Sequence, residues 1–431
     1  MSTAVATPSS ESVSADLRHV VVVSKKGAVV FTAVTALMAL LLLLQPREGD
    51  VKYRLGAEGD ALRLPDLALP GMAVAWVCLA IAAAATVGAW LMVRAQRKVP
   101  VWMSVLFAVV LLLAFLSWAG AGSAQDFPVV RLVGGAVLLS VPILFGALGG
   151  VIGERAGVVN IAIEAQLLLG AFAAAITGSL TDSPVAGLVA AVVAGMVVAL
   201  VLGLFTITYK VDQVIVGVVL NVLVIGLTSF FYSEVLVPNG ERLNDTERFT
   251  SIAIPGISEI PILGPALFRQ SVLVYIAYIT VPIIWFALYR TRWGLRLRSV
   301  GEHPQAADTV GIKVERTRYR AILIAGGVVG LGGAFYTVVS VSSFGKEMTA
   351  GAGFIALAAV IFGKWDPVRA ALAALLFGFA SNLEDMLSIV GAPVPSQFML
   401  MLPYVVTLFA VAGLVGRSRA PAADGVPYVK E

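Results

Sequence analysis

The amino-acid sequence predicts an all-α polytopic membrane protein of about twelve spans, and not fewer than ten. Three observations carry this. Hydrophobic residues make up 59% of the 431 residues and Asp, Glu, Lys and Arg only 13%, about half the usual charged share. So few charges cannot coat water-facing domains of this size, and most of the surface must meet lipid. Apolar runs recur at span length, roughly twenty helical residues for a hydrocarbon core of about 30 Å. Finally, lysine and arginine are distributed unevenly between alternate connecting segments.

The runs lie near 27–44, 70–93, 100–119, 129–152, 160–179, 184–208, 214–237, 271–289, 320–342, 351–363, 368–389 and 397–416. The first is flanked by Lys25 and Lys26 and runs into Gln45, Pro46 and Arg47 without a small-x-small cleavage site, so it reads as a retained helix. The tail before it, rich in Ser, Thr and Ala, reads as a disordered leader. The tenth run, Gly351–Gly363, is too short to cross alone and reads as a half-helix or part of a longer broken one. With the N-terminus in the cytoplasm and twelve alternating spans, 21 of the 30 Lys and Arg fall on the inner side and 9 on the outer. Both termini are therefore expected inside. Eleven spans would put Arg417 and Arg419 outside, so the even count is preferred. The net charge of +4 then belongs to inner loops, chiefly Arg290–Arg320, and does not signal nucleic acid.

Chemistry is sparse. Cys78 is the single cysteine and the histidines are His19 and His303, which excludes an internal disulfide and disfavours Cys or His metal sites. Gly363-Lys364 lacks the upstream glycine of a phosphate-binding loop, and so does the other Gly-Lys pair, Gly345-Lys346. No Gly-x-Ser-x-Gly, His-Glu-x-x-His or Cys-x-x-Cys occurs either. The sequence describes a conduit, not an enzyme, with no cofactor of its own.

Polar residues inside spans are functional candidates because each is costly unless paired or hydrated. The densest group is GGVIGERAGVVNIAIEAQLLLG, Gly149–Gly170. Glu154 and Arg155 fit a solvated inner turn. Asn160 and Glu164, four apart, share one helical face, with Gln166 elsewhere on the circumference. They are read as lining a hydrated path, against the plainer reading of an N-cap and a first-turn acid. Asp212 and Gln213 read as a turn, Asn221 as a path candidate. Near the outer end of the eleventh run, Asn382 is a further path candidate, while Glu384 and Asp385 fit interfacial solvation. Gly326, Gly327, Gly330, Gly332 and Gly333, like Gly146 and Gly150, fit close helix packing. The short glycine-opened runs Gly157–Ala171 and Gly351–Trp365 echo each other, one in each half. Such pairs mark repeats meeting near the midplane of transporters.

Gly153–Ala174, GERAGVVNIAIEAQLLLGAFAA, resembles the signature of nucleoside-type permeases of ABC importers, within a wider group handling simple sugars and branched-chain amino acids. Trp293–Ile312, WGLRLRSVGEHPQAADTVGI, resembles their cytoplasmic coupling segment. Ala165 stands where the nucleoside type carries glycine, and Asn160-Ile161-Ala162 stands where sugar-type relatives carry Asp-Leu-Ser. The resemblance implies a type II-like importer permease fold and a division into a leader (1–26), an extension of about three spans (27–125), a permease core (126–416) and a cytoplasmic tail (417–431). It also implies a bacterial plasma-membrane location and partners: a second, non-identical permease, cytoplasmic ATPases that bind ATP and Mg, and an extracytoplasmic binding lipoprotein. The ATPase-coupling residues would be Gly301, Glu302, His303, Pro304, Gln305, Ala306, Ala307, Asp308 and Gly311. Their pattern fits a short helix opened by Pro304 and ended by Gly311. The rival class is an ion-coupled secondary transporter, which should show mid-span acids or histidines; beyond Glu164 there is little.

Overall fold

The computed structural model of the chain describes residues 25–56, 64–391, 398, 401 and 419–430. Of the twelfth run, 397–416, only 398 and 401 are among them, and the leader before Lys25 lies outside them. The described residues contain ten helices long and apolar enough to cross a membrane and one shorter apolar helix. The protein is thus a helical, multi-pass membrane protein.

In chain order the helices are α1 (Lys26–Leu44), α2 (Gly71–Arg94), α3 (Val101–Gly120), α4 (Val129–Arg155), α5 (Ile163–Thr181), α6 (Pro184–Gly203) and α7 (Gln213–Phe231). One-turn α8 (Gly240–Leu243) and α9 (Leu263–Phe268) lie in the long connection that precedes α10 (Val272–Arg290). Then come α11 (Arg292–Glu302), α12 (Pro304–Thr309), α13 (Val314–Phe335), α14 (Ala352–Phe362) and α15 (Pro367–Val390). Turns of π-helix extend α6, α7 and α13 through Leu204–Thr208, Tyr232–Leu236 and Tyr336–Val341.

Two boundaries depart from the hydropathy reading. The run at 160–179 becomes helical only at Ile163, because residues 156–162 form a non-helical break after α4. The run at 320–342 starts at Val314: its first turns carry Glu315, Arg316, Arg318 and Arg320, and a hydropathy ruler discards charged turns even where one charge, Arg318, is buried. Helix α14, at 11 residues, is about 16 Å long by its rise, half a bilayer core.

The chain divides into two compact units. The first holds α1, α2 and α3 up to Trp118. Phe31 stacks on Phe107 with ring centroids 3.9 Å apart, Trp90 donates to Thr32 Oγ1 at 2.9 Å, and Trp118 Nε1 donates to the Gln45 carbonyl at 2.8 Å. Cys78 is a buried free thiol here.

The second unit comprises Glu48–Gly71 and the chain from Ala119 onward. The connection before α2 contributes β1 (Asp50–Arg54), antiparallel to β2 (Leu67–Pro70) and parallel to β3 (Phe127–Pro128), with Tyr53 opposite Leu67 and Phe127. In the connection before α10, β4 (Ser251–Ala253) pairs antiparallel with β5 (Arg269–Ser271). These short ladders satisfy backbone groups in loops that hydropathy alone left without structure.

Helix α4 is the axis of this unit, buried along nearly its whole length and packed by α13, α14 and α15. The approach depends on glycine. A Cβ on Gly378 of α15 would lie 2.6 Å from the Ala136 carbonyl of α4, and one on Gly146 would lie 2.7 Å from Ala356 of α14. Between α6 and α13 the backbones nearly touch: a Cβ on Gly195 would sit 2.1 Å from the Gly326 carbonyl. Helix starts follow local chemistry. Asp212 caps α7 by accepting from Val214 and Ile215 N–H, and Asp366 caps α15 ahead of Pro367.

Candidate functional site

The break between α4 and α5 is the structural centre of the polar residues. Gly157 turns the chain at φ +84°, a conformation that favours glycine. The amide of Val158 returns to the Gly153 carbonyl at 3.0 Å. Two further backbone groups of the break find side chains of α7. Gln213 Oε1 accepts from Val159 N–H at 2.6 Å. The amide of Asn221 bridges the break and the new helix, donating to the Ile161 carbonyl and accepting from Ala165 N–H, both at 2.9 Å. Helix α7 gets this close because Gly217 faces Ile161, where a Cβ would be 2.7 Å from its Cβ. Gln213 is therefore no surface turn but a buried acceptor, 2% exposed.

Glu164 sits in the first turn of α5, 4% exposed. Its carboxylate accepts from Thr349 Oγ1 (2.6 Å), Gly351 N–H (2.9 Å) and Gly353 N–H (2.7 Å). Those donors lie at the N-terminus of α14. One carboxylate thus sits between the N-terminal ends of two helices, its own α5 and α14. The two echoing glycine-opened segments meet here: a Cβ on Gly353 would lie 2.4 Å from the Glu164 nitrogen.

Asn160 precedes the helix and does not cap it; the N-cap position is Ala162, with no side-chain bond. Nor does Asn160 share a helical face with Glu164. Instead its Nδ2 donates to Gln166 Oε1 at 3.0 Å, both residues being fully buried. Asn382 lies apart, on α15, donating to the Leu132 carbonyl of α4 at 2.7 Å. It borders a cavity of about 580 Å³ together with Arg131, Gly135, Gln270, Asp385 and Ser388. The structure thus gathers Asn160, Glu164, Gln166 and Asn221 around one break and leaves Asn382 at a separate pocket.

The C-terminal end of α4, just before the break, meets α11. Trp365 Nε1 donates to the Glu154 carboxylate, and Arg155 Nε donates to the Trp365 carbonyl at 2.9 Å. Glu154 is 5% exposed, so this corner is a packed joint and not a solvated turn. Arg155 also lies 3.9 Å from Glu302. Gly301 abuts it, a Cβ there falling 2.2 Å from the Arg155 carbonyl. The remaining loop residues build the expected short helix. His303 precedes it, Pro304 opens it, Gln305 and Ala306 are on its outer side, Ala307 is buried against Val300 and Val314, and Gly311 turns away at φ +84°.

Residues 419–430 were read from sequence only as a tail. In the structure Ala423 N–H donates to the Gly301 carbonyl at 2.9 Å, Ala422 N–H to Glu302 at 3.2 Å, and Lys430 lies 3.4 Å from Asp308. Buried Arg318 donates to the Val426 carbonyl at 3.0 Å. Burial pushes the Asp424 carboxyl up to about 7, against the opposing pull of the nearby Arg318 charge. Small residues at 420–425 carry little sequence signal of such packing.

Ten apolar helices of span length, a polar break between α4 and α5 and a helical loop at α11–α12 make up a multi-pass membrane protein of the permease class. The family described as branched-chain amino acid transport system / permease component matches residues 132–411, and the chain belongs to that family. It is 39% identical over 303 residues to the guanosine ABC transporter permease protein NupQ of Bacillus subtilis, covering 68% of this chain and 95% of that one. It is 37% identical to the nucleoside ABC transporter permease protein NupC of Lactococcus lactis, over 69% of this chain and 96% of the relative. A second Bacillus subtilis protein, guanosine ABC transporter permease protein NupP, is 24% identical over 74% of this chain and 94% of its own length. No solved structure matches the chain.

Proposed function

We propose that this chain is the permease subunit of an importer for nucleosides, forming the path with a second, non-identical permease. The observation that carries the substrate class is the match along 95% and 96% of two permeases whose names specify guanosine and nucleosides. The pairing is supported by the likeness to both NupQ and NupP of one organism. Cytoplasmic ATPases, which bind ATP and Mg, dock on α11–α12, and an extracytoplasmic binding lipoprotein supplies substrate. Both termini face the cytoplasm of a bacterial plasma membrane, as the 21-to-9 distribution of Lys and Arg supports.

In this reading the path is wide and touches the nucleoside loosely, since each tenfold gain in affinity would deepen the trap by about 1.4 kcal/mol. Asn160, Glu164, Gln166 and Asn221 serve the path by fixing the broken backbone at its wall, and Asn382 by shaping the outer cavity. The decisive test is uptake of labelled guanosine into liposomes holding this chain, the second permease and the ATPases, with binding protein outside. Uptake should require ATP and all chains, and deletion of Gln305–Val310 should abolish it while insertion persists. Ion-gradient-driven uptake by this chain alone would overturn the reading.

A further inference from the structure

Residues 419–430 touch three parts of the inner side at once. They bind α11 through Gly301 and Glu302, and α12 through Asp308. Tyr428 packs against the cluster of Val300, Ala307 and Val314, which joins α11, α12 and α13. At the break, the Ala423 carbonyl lies so near Gly157 that a Cβ there would be 3.0 Å away, and Gly425 faces Val159. Arg318, 1% exposed, ties Val426 to α13. Ala423 itself is 7% exposed. The segment is wedged between the short helices and the broken backbone.

We infer that residues 419–430 are a coupling strap: they transmit displacement of α11–α12, imposed by the partner ATPase, to the break at 156–162 and so to the wall of the path. The inference rests on the proposed docking of an ATPase at α11–α12 and adds the route by which its motion travels. The direct alternative route is narrow. Gly301 meets the end of α4 at the Arg155 carbonyl, and Glu302 faces Arg155 at 3.9 Å. The strap makes four polar contacts, two with α11 and one each with α12 and α13, and meets the break by close packing at Gly157 and Val159. It also reaches past α4 to Val159, whose N–H is held by Gln213. A pull on Ala423 is therefore felt at the residues that set the start of α5. Coupling travels through contiguous packed and hydrogen-bonded groups, and this segment is contiguous with both α11–α12 and the break.

The experiment uses the complete reconstituted complex with its second permease, ATPases and binding protein. Two variants of this chain are compared with the unaltered one: truncation after Ser418, and Ala423→Trp, whose bulk cannot enter the buried site and which leaves the spans untouched. Both should keep membrane insertion, ATPase co-purification and basal ATP hydrolysis. Guanosine uptake should fall about tenfold, within the range of an allosteric coupling. Ala423→Ser, which fits the site, should restore it. Unchanged uptake in both variants would overturn the strap. So would loss of ATPase co-purification alongside uptake, because the segment would then only be holding the docking helices in shape. If the unaltered complex shows no ATP-driven uptake, the proposed function fails first, and the two failures are told apart.

Discussion

Glu164 and Gly353 are joined across 189 residues of sequence: the carboxylate of α5 accepts the third N–H of the α14 entrance at 2.7 Å. With Thr349 and Gly351 on its other oxygen, Glu164 holds the short apolar helix α14 by its N-terminal end. Three donors, two of them buried, depend on one side chain, so changes here should be read first in stability and then in uptake.

Glu164→Gln supplies one carbonyl where two oxygens stood. Thr349 can reverse and accept from the new amide, but one glycine N–H is left without a partner. The expected cost is about 1–3 kcal/mol, with a lower unfolding temperature in detergent and reduced uptake. An unfolding temperature equal to that of the unaltered chain would contradict the assigned bonds.

Asn221→Leu removes a donor and an acceptor together, stranding the Ile161 carbonyl and Ala165 N–H. Leucine cannot replace either bond. Hydrogen exchange at Ala165 should accelerate markedly while exchange in α10 stays constant. Equal protection at Ala165 in both proteins would refute the bridging role.

Gly301→Ala tests the contact between α11 and α4. Its Cβ would collide with the Arg155 backbone at 2.2 Å, a contact that cannot yield without moving the helix. ATPase binding should survive, since the exposed side of α12 is unchanged, and uptake should fall. Normal uptake would show that the two helices move independently.

Asp424 sets a pH dependence. Free in water its carboxyl would titrate near the ordinary 3.8, whereas docked it does so near 7. Docking therefore binds a proton: it is strongest below about 3.8 and is lost as pH rises through about 7. Between pH 6 and 8 the docking equilibrium should weaken about tenfold. A nitroxide on Val429→Cys, in a Cys78→Ser background, should show a growing mobile population over that interval. Asp424→Asn should flatten the response, and a profile rising in the opposite sense would refute the assignment.

The spans were legible because hydropathy sums over twenty residues and survives local errors. Charged turns defeated it at α13, where Arg318 is buried beside a segment far away in sequence. At the site, residue types were legible and partners were not. Asn160 and Glu164 fall on one face only if the helix is unbroken, and Gly157 breaks it. Thr349, Gly351 and Gly353 carry no signal of their own until folding brings them to Glu164. The echo between the two glycine-opened segments was the one sequence feature that pointed to their meeting.

Helix α6 shows two sides with opposite demands. Val185, Val189, Val193 and Val197 stand half or more exposed on one flank. On the other, Gly195 leaves its neighbour α13 no room for even a methyl group. The outer flank need only stay greasy, so random substitution there should be silent across most apolar residues. The inner flank is specified atom by atom and will reject the smallest enlargement. A saturation library of this one helix would consequently split into a permissive stripe and a forbidden one, with the boundary following the helical turn.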